Sequence, residues 1–256
     1  MPSSENRSTI SSRLAAATTS NSQASLKWLK QHGVPSRKLH FIGNALDPAI
    51  ADRTPSTPKA RAALLASLGL DPSRPPIVAL GRFDAYKNQD GLVRALIRVR
   101  DRWPQALPPL LLAGFLEDQA RVANVQKLAD AAKLEIRIVP PVTDVATLLE
   151  AARFSVLASR SEGTPNVVLE ALGLGTLVVA TRVGEVTSLA TDAQTAILCD
   201  AGDDAALAAA LERALLIDPH EAIAMGQRAR FDMLARYSPT AVTGQYNALY
   251  HAILRQ

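Results

Sequence analysis

The chain has 256 residues, 48% of them hydrophobic and 20% charged, enough for one large domain, or for one complete domain and part of another, around a sizeable core. Its 28 basic and 24 acidic residues leave a net charge of +4 with no Lys/Arg block, and only 4% of residues are aromatic, which argues against a nucleic-acid binder. A single cysteine, Cys199, excludes an intrachain disulfide and a Cys-based zinc site.

The Ser/Thr-rich start, "MPSSENRSTISSRLAAATTSNSQ", has no apolar stretch of the secretory kind, so a cytoplasmic location is expected. "SQASLKWLKQHG" reads as a helix closing at Gly33, and "KLHFIGNALD" as a strand followed by a turn. "DPAIADRTPSTPK" has the Pro, Thr and Asp content of a linker. From Pro75 onward six short β-rich runs follow: "IVAL" (77–80), "LLLA" (110–113), "IRIV" (136–139), "FSVLA" (154–158), "TLVVA" (176–180) and "AIL" (196–198). The longest apolar run, residues 106–116, is well short of the ~20 residues of a membrane span. Helices are expected between the strands over 90–102, 118–132, 144–152, 166–174 and 184–190. Strands alternating with such helices make βαβ units, hence an α/β fold with a doubly wound, Rossmann-like parallel sheet covered on both faces. After Asp203 the chain reads as helical to its end, broken at Asp218-Pro219 and Ser238-Pro239. No internal repeat is seen.

Open parallel sheets bind ligands beyond the carboxyl ends of their strands, and unusual residues cluster there. Gly81 and Arg82 follow the first strand, with Lys87 five residues on; Gly114 follows the second, Pro140 the third, and Ser159-Arg160-Ser161-Glu162-Gly163 the fourth. Thr164, Pro165 and Asn166 look like a helix start, with Thr164 as cap and Pro165 in the first helical position. The amides of Asn166 and Val167 would then favour an anion in front of them. Along that helix Asn166, Glu170 and Gly173 form one polar stripe in an otherwise apolar surface. A carboxylate so placed needs a partner. Two readings stay open for Glu170: it holds a pair of sugar hydroxyls, or it makes a structural ion pair with Arg182. Arg82 and Lys87, taken singly, also read as solvated surface charges. The four histidines, His32, His40, His220 and His251, show no ligand spacing. "GLGT" at 173–176 precedes a strand instead of following one, and no G-x-G-x-x-G opens a helix, so a dinucleotide fingerprint is lacking.

"GRFDAYKNQDGLVRAL", "LLLAG" and "ARFSVLASRSEGTPNVVLEALGLGTLVVATRVGEV" resemble the C-terminal domain of family 4 glycosyltransferases, the retaining GT-B enzymes. "KLHFIGNALD" is similar to the strand that ends that family's N-terminal domain, with Gly43 and Ala45 in place of its usual Pro and Gly. The resemblance implies the C-terminal half of a GT-B fold over residues 61–238. Residues 1–60 would be a remnant of the N-terminal domain with a linker, and 239–256 a closing helix that crosses back toward that remnant. It implies transfer of a sugar from a nucleoside diphosphate sugar to a hydroxyl acceptor with retention, as in polysaccharide or glycoconjugate biosynthesis. Arg82 and Lys87 would contact the diphosphate, Glu162 the transferred sugar, and Glu170 the ribose. Gly81, Gly114 and the backbone from Gly163 through Thr164, Pro165 and Asn166 to Val167 would line the site, and the base would lie near residues 139–142, including Pro140 and Val142. No cofactor and no metal are implied, in keeping with the lack of an Asp-x-Asp element.

Only the tail of an N-terminal domain is seen, so the acceptor-side Gly-rich loop and histidine of the family have no counterpart. Three readings follow: the donor half of an enzyme completed by a partner chain, a truncated copy, or a protein that binds a nucleotide sugar without transferring it. Nucleotide binding with negligible transfer is the expectation for the 256-residue chain. The apolar face of the last helix, Val242, Tyr246, Leu249, Tyr250 and Ile253, would lack part of its cover. The basic face of Arg94, Arg98 and Arg102 reads either as a solvated helix or as a peripheral contact with the inner face of a membrane.

Overall fold

The computed structural model describes Thr9 and residues 11–103 and 105–255. Residues 1–8, with most of the Ser/Thr-rich start, lie outside them, as do Ile10, Pro104 and Gln256. The elements, numbered along the chain, are β1 (Thr18–Ser20), α1 (Gln23–Gln31), β2 (Leu39–Phe41), α2 (Pro48–Ala51), α3 (Pro58–Ser67), β3 (Ile77–Leu80), α4 (Gln89–Arg100), β4 (Leu110–Ala113), α5 (Gln119–Ala131), β5 (Ile136–Val139), α6 (Val145–Ala151), β6 (Phe154–Leu157), α7 (Asn166–Leu174), β7 (Val178–Thr181), α8 (Val186–Leu189), β8 (Ile197–Cys199), α9 (Asp204–Leu216), α10 (Pro219–Tyr237) and α11 (Pro239–Leu254).

Six parallel strands form one sheet in the order β5-β4-β3-β6-β7-β8. The chain builds outward from β3 through β4 to β5, then returns to the other side of β3 at β6. The crevice between β3 and β6 is therefore the topological switch point, where a ligand is favoured. The inner strands bury alternate residues in two layers. Ile77, Leu112, Val156 and Val179 pack with Leu92 and Leu96 of α4 and Leu211 of α9. Val78, Leu111, Leu157 and Val178 pack on the other face with Leu148 of α6, Leu169 and Leu172 of α7 and Met233 of α10. Strands covered on both faces read as unbroken apolar runs, which is why β3 and β4 fall where the sequence places them; β5, at the sheet edge with Arg137 exposed, also keeps its expected range. The later three shift by at most two residues.

The linker expected over residues 47–59 is more ordered than its composition suggests. Asp47 accepts from Ala49 N at 2.7 Å and starts α2, and Thr57 accepts from Ala60 N at 3.2 Å and starts α3 with Pro58 in its first turn. Leu65 of α3 is buried against α6. Strand β1 was not expected; it pairs in parallel with β2, Thr18 opposite Leu39, in a separate two-stranded sheet. This N-terminal segment meets the end of α10, where Leu46 N donates to Tyr237 O at 2.8 Å. On α11 Val242 is buried, whereas Tyr250 is exposed and Tyr246, Leu249 and Ile253 are half-covered. Arg94 is engaged by Asp90 and Asp204, and Arg102 by Glu212, so two of the three arginines on that face are already paired. Among the described residues no helix is long and apolar enough to cross a membrane.

Candidate functional site

Backbone chemistry shapes the loop after β3. Gly81 has φ +147, and Gly114 beside it leaves no room for a side chain, since a Cβ there would fall 1.9 Å from Gly81 O. Asp84 accepts from Tyr86 N and Lys87 N, both at 2.9 Å, and turns the loop back. Asn88 then takes the left-handed conformation, φ 56 and ψ 38, which Asn tolerates better than most residues. Its amide donates to Ala158 O at 3.1 Å and accepts from Arg160 Nε at 3.1 Å. Arg160 N donates to Tyr86 O at 2.7 Å. The loops after β3 and β6 are thus sewn together across the switch point.

Between them Lys87 Nζ meets Glu162 Oε1 at 2.6 Å, and the side chains keep only 21% and 12% of their exposure. Ser159 Oγ donates to the same carboxylate oxygen at 2.6 Å. Behind this loop, Gly184 has φ +52, and a Cβ on it would lie 2.1 Å from Gly163 O. Glu185 N donates to that carbonyl at 2.9 Å. Glu185 itself is buried; its carboxylate accepts from Gln23 N and from Ser188 Oγ. A contact with the distant N-terminal segment thereby reaches the back of the Glu162–Gly163 turn.

Helix α7 starts differently from expectation. Pro165, not Thr164, is the cap residue, and no side chain caps the helix. The reason is tertiary: Thr164 Oγ1 donates instead to Asn21 O. The amides of Asn166 and Val167 have no protein acceptor among the described residues, so the tip stays an anion-ready surface. Asn44 donates through Nδ2 to Asn166 Oδ1 at 2.6 Å and accepts at its own Oδ1 from Asn21 Nδ2 at 2.8 Å, so the N-terminal segment borders this tip without capping it.

Glu170 lies half-buried one turn further on. Burial pushes its carboxyl above the ordinary range, and the like charge of Asp47 adds to the effect. Among the described residues Glu170 has no hydrogen-bond or ionic partner. The ion pair with Arg182 is not formed, because Arg182 binds Asp192 at 3.1 Å and Asp200 at 3.3 Å. Gly173, the end of the polar stripe, is a packing glycine: a Cβ would meet Leu46 at 2.7 Å.

Two adjoining cavities share Leu80, Gly81, Lys87, Val145 and Glu162. One, of about 680 Å³, also takes in Arg82, Gly114, Val142 and Gly163. The other, of about 290 Å³, reaches Thr164, Pro165, Asn166, Val167 and Glu170. Twelve of the thirteen residues singled out in the sequence therefore surround one composite hollow. Pro140 lines neither part and points to solvent, its place on the wall taken by Pro141. Arg82 stands at the rim, 66% exposed, with Asp84 3.6 Å away. Sequence reasoning passed over Tyr86 and Phe115, two exposed aromatic side chains on the same rim. Exposed rings beside a cavity are visible only once the loops are folded. Among the described residues no cluster of three or more His, Cys, Asp or Glu could hold a metal ion.

The fold is that of known glycosyltransferase structures. A glycosyltransferase from Rickettsia africae superposes with a TM-score of 0.84 at 20% identity, covering 100% of this chain and 68% of that one. Alr3699/HepE from Anabaena, solved in complex with UDP, superposes with a TM-score of 0.81 at 21% identity over 93% of this chain and 64% of that one. Residues 74–216, more than half of the chain, match the family described as glycosyl transferases group 1. The chain belongs to that family. It is 33% identical over 186 residues to D-inositol 3-phosphate glycosyltransferase of Pseudarthrobacter chlorophenolicus, covering 71% of this chain and 44% of that protein. It is 28% identical over 228 residues to alpha-maltose-1-phosphate synthase of Mycolicibacterium smegmatis, covering 84% and 57%. The chain thus spans about half the length of these relatives.

Proposed function

We propose that this chain binds a nucleoside diphosphate sugar in the composite hollow and supplies the donor half of a retaining glycosyl transfer to a hydroxyl acceptor. The observation that carries the reading is the pairing of an unpartnered, half-buried carboxylate, Glu170, with an uncapped helix tip at the switch point of the sheet. A carboxylate takes hydrogen bonds from paired hydroxyls without needing a countercharge, and the amides of Asn166 and Val167 suit a phosphate. Glu170 holds the ribose in this arrangement, the helix tip and Lys87 the diphosphate, and Glu162 the transferred sugar. Arg82 closes over the diphosphate from the rim. Val142, with Pro141, offers the base an apolar wall. UDP in the Anabaena structure favours a uridine nucleotide.

During transfer the bond from the anomeric carbon to the diphosphate breaks while a bond to the acceptor oxygen forms on the same face, and the acceptor's hydroxyl proton passes to the departing diphosphate oxygen. Negative charge grows on the departing diphosphate, where Lys87, Arg82 and the two free amides stand ready to stabilise it. Residues 1–60 act as the adjoining part of an acceptor domain, and no metal takes part.

The test is isothermal titration of the chain with UDP, GDP, uridine and UDP-glucose. Binding of UDP or GDP, tighter than uridine, is expected; absence of binding by every nucleotide refutes the reading. Ligand at ~100 times its Kd should also stabilise the fold by about 2.7 kcal/mol.

A further inference from the structure

A second large cavity, of about 790 Å³, lies at the opposite end of the sheet. Pro75, Arg153 and Leu177, at the amino ends of β3, β6 and β7, form its floor, and α3 and the start of α10 form its walls. A smaller hollow of about 300 Å³ adjoins it, sharing Arg61, Arg153 and Ile223 and adding Arg230. The size is that of a small-molecule site.

Its chemistry is two-sided. Ile217, Ile223 and the rings of Pro58 and Pro72 give a long apolar surface over buried Leu65, and Ile223 is 58% exposed. Into this surface come three arginines without a carboxylate partner. The Arg61 guanidinium has no hydrogen-bond or ionic partner among the described residues. The Arg153 guanidinium donates only to Leu215 O at 2.9 Å, and that of Arg230 to the carbonyls of Gly173 and Arg53. Elsewhere arginines such as Arg53, Arg74, Arg94, Arg121 and Arg182 each meet an acid. The acid on the lining, Glu150, is already taken by Arg53 Nε at 3.0 Å and Ser56 N at 2.9 Å. The cavity therefore carries uncompensated positive charge on guanidinium groups, which bind carboxylate and phosphate through paired N–H donors and are weakly hydrated.

A free phosphate would leave the apolar wall uncovered. A neutral apolar molecule would leave the arginines unanswered. We propose that this cleft binds a single-chain anionic amphiphile, its headgroup between Arg61 and Arg153 and its tail along Ile217 and Ile223. The sheet separates the cleft from the loops around Glu162, so the proposal stands apart from the donor reading.

The probe is decyl phosphate below its micelle concentration, titrated against the full chain, with decyl maltoside and inorganic phosphate as controls. Saturable one-to-one binding of decyl phosphate is expected, at least tenfold tighter than either control. The double variant Arg61→Gln/Arg153→Gln should weaken it at least tenfold, and Ala62→Trp, which fills the trough without touching a charge, should do the same. A thermal midpoint close to that of wild type shows each variant to be folded, and UDP affinity should not change in either. The proposal is overturned if decyl phosphate shows no saturable binding, if the variants bind it as well as wild type, or if a control binds as tightly. Association with anionic phospholipid vesicles but not with the free amphiphile also overturns it, in favour of a membrane surface.

Discussion

Glu170→Gln separates a ligand-holding carboxylate from a structural one, because the two roles predict opposite signs. The side chain is half-buried, unpartnered and near Asp47, so its ionised form is held at a disadvantage in the free protein. Its titration point is raised above the ordinary 4.5, so folding favours the proton on Glu170. The stability this brings is fully present below the unfolded value and is lost as pH rises through the folded one. Glutamine never ionises, so the variant should equal or exceed wild type in stability at neutral pH, and its advantage should be larger at pH 8 than at pH 4, below the ordinary value of 4.5. Nucleotide binding should move the other way. A hydrogen bond to a charged acceptor contributes about 1.5–3 kcal/mol against about 0.5–1.5 for a neutral one. Each ribose hydroxyl then loses about 1 kcal/mol, and a pair about 2 kcal/mol, a weakening of roughly thirtyfold in Kd. Urea denaturation at the two pH values and calorimetric titration with UDP measure both arms. A variant that is less stable at pH 8 yet binds UDP unchanged would show Glu170 to be a structural group and end the donor reading at that residue.

Lys87→Met should weaken UDP-glucose at least tenfold while leaving uridine unaffected, since the lysine faces the diphosphate and not the nucleoside and is released from Glu162 only by a ligand that brings the sugar; equal losses for both ligands would point to a misfolded loop instead. Gly184→Ala places a methyl 2.1 Å from Gly163 O and 2.5 Å from Glu162 O in a backbone with φ +52. It should cost about 1–3 kcal/mol in strain and lower UDP affinity by displacing the Glu162 turn, as read by thermal unfolding and titration. Full retention of both would mean that the turn moves freely.

The sheet was legible because its inner strands are buried on both faces and bounded by Gly and Pro, so apolar runs such as "LLLA" mark them without pattern analysis. The site was legible for a related reason: residues at successive strand ends converge in space whatever their spacing in sequence. What escaped depends on partners far along the chain. Strand β1 is three half-exposed polar residues, Thr18 to Ser20, and only pairing with β2 makes it a strand. Thr164 was read as a helix cap from its own neighbourhood, but its hydroxyl is claimed by Asn21, 143 residues away. Glu185 carried no local sign of its bond to Gln23, 162 residues distant. Helix α3 is the exception, since "TPKARAALLASLG" held a cap, a first-turn proline and helix-forming residues, and the linker composition before it masked that signal.

The Lys87–Glu162 contact makes the resting site self-neutralising. A bare pyrophosphate that captured the ammonium would strand the acid with only Ser159 for company. A ligand that brings hydroxyls along with its phosphates satisfies both groups at once. Selection under the donor reading would thus work as a logical conjunction: fragments of the donor face an exchange with little net gain, and only the intact molecule turns the swap to advantage.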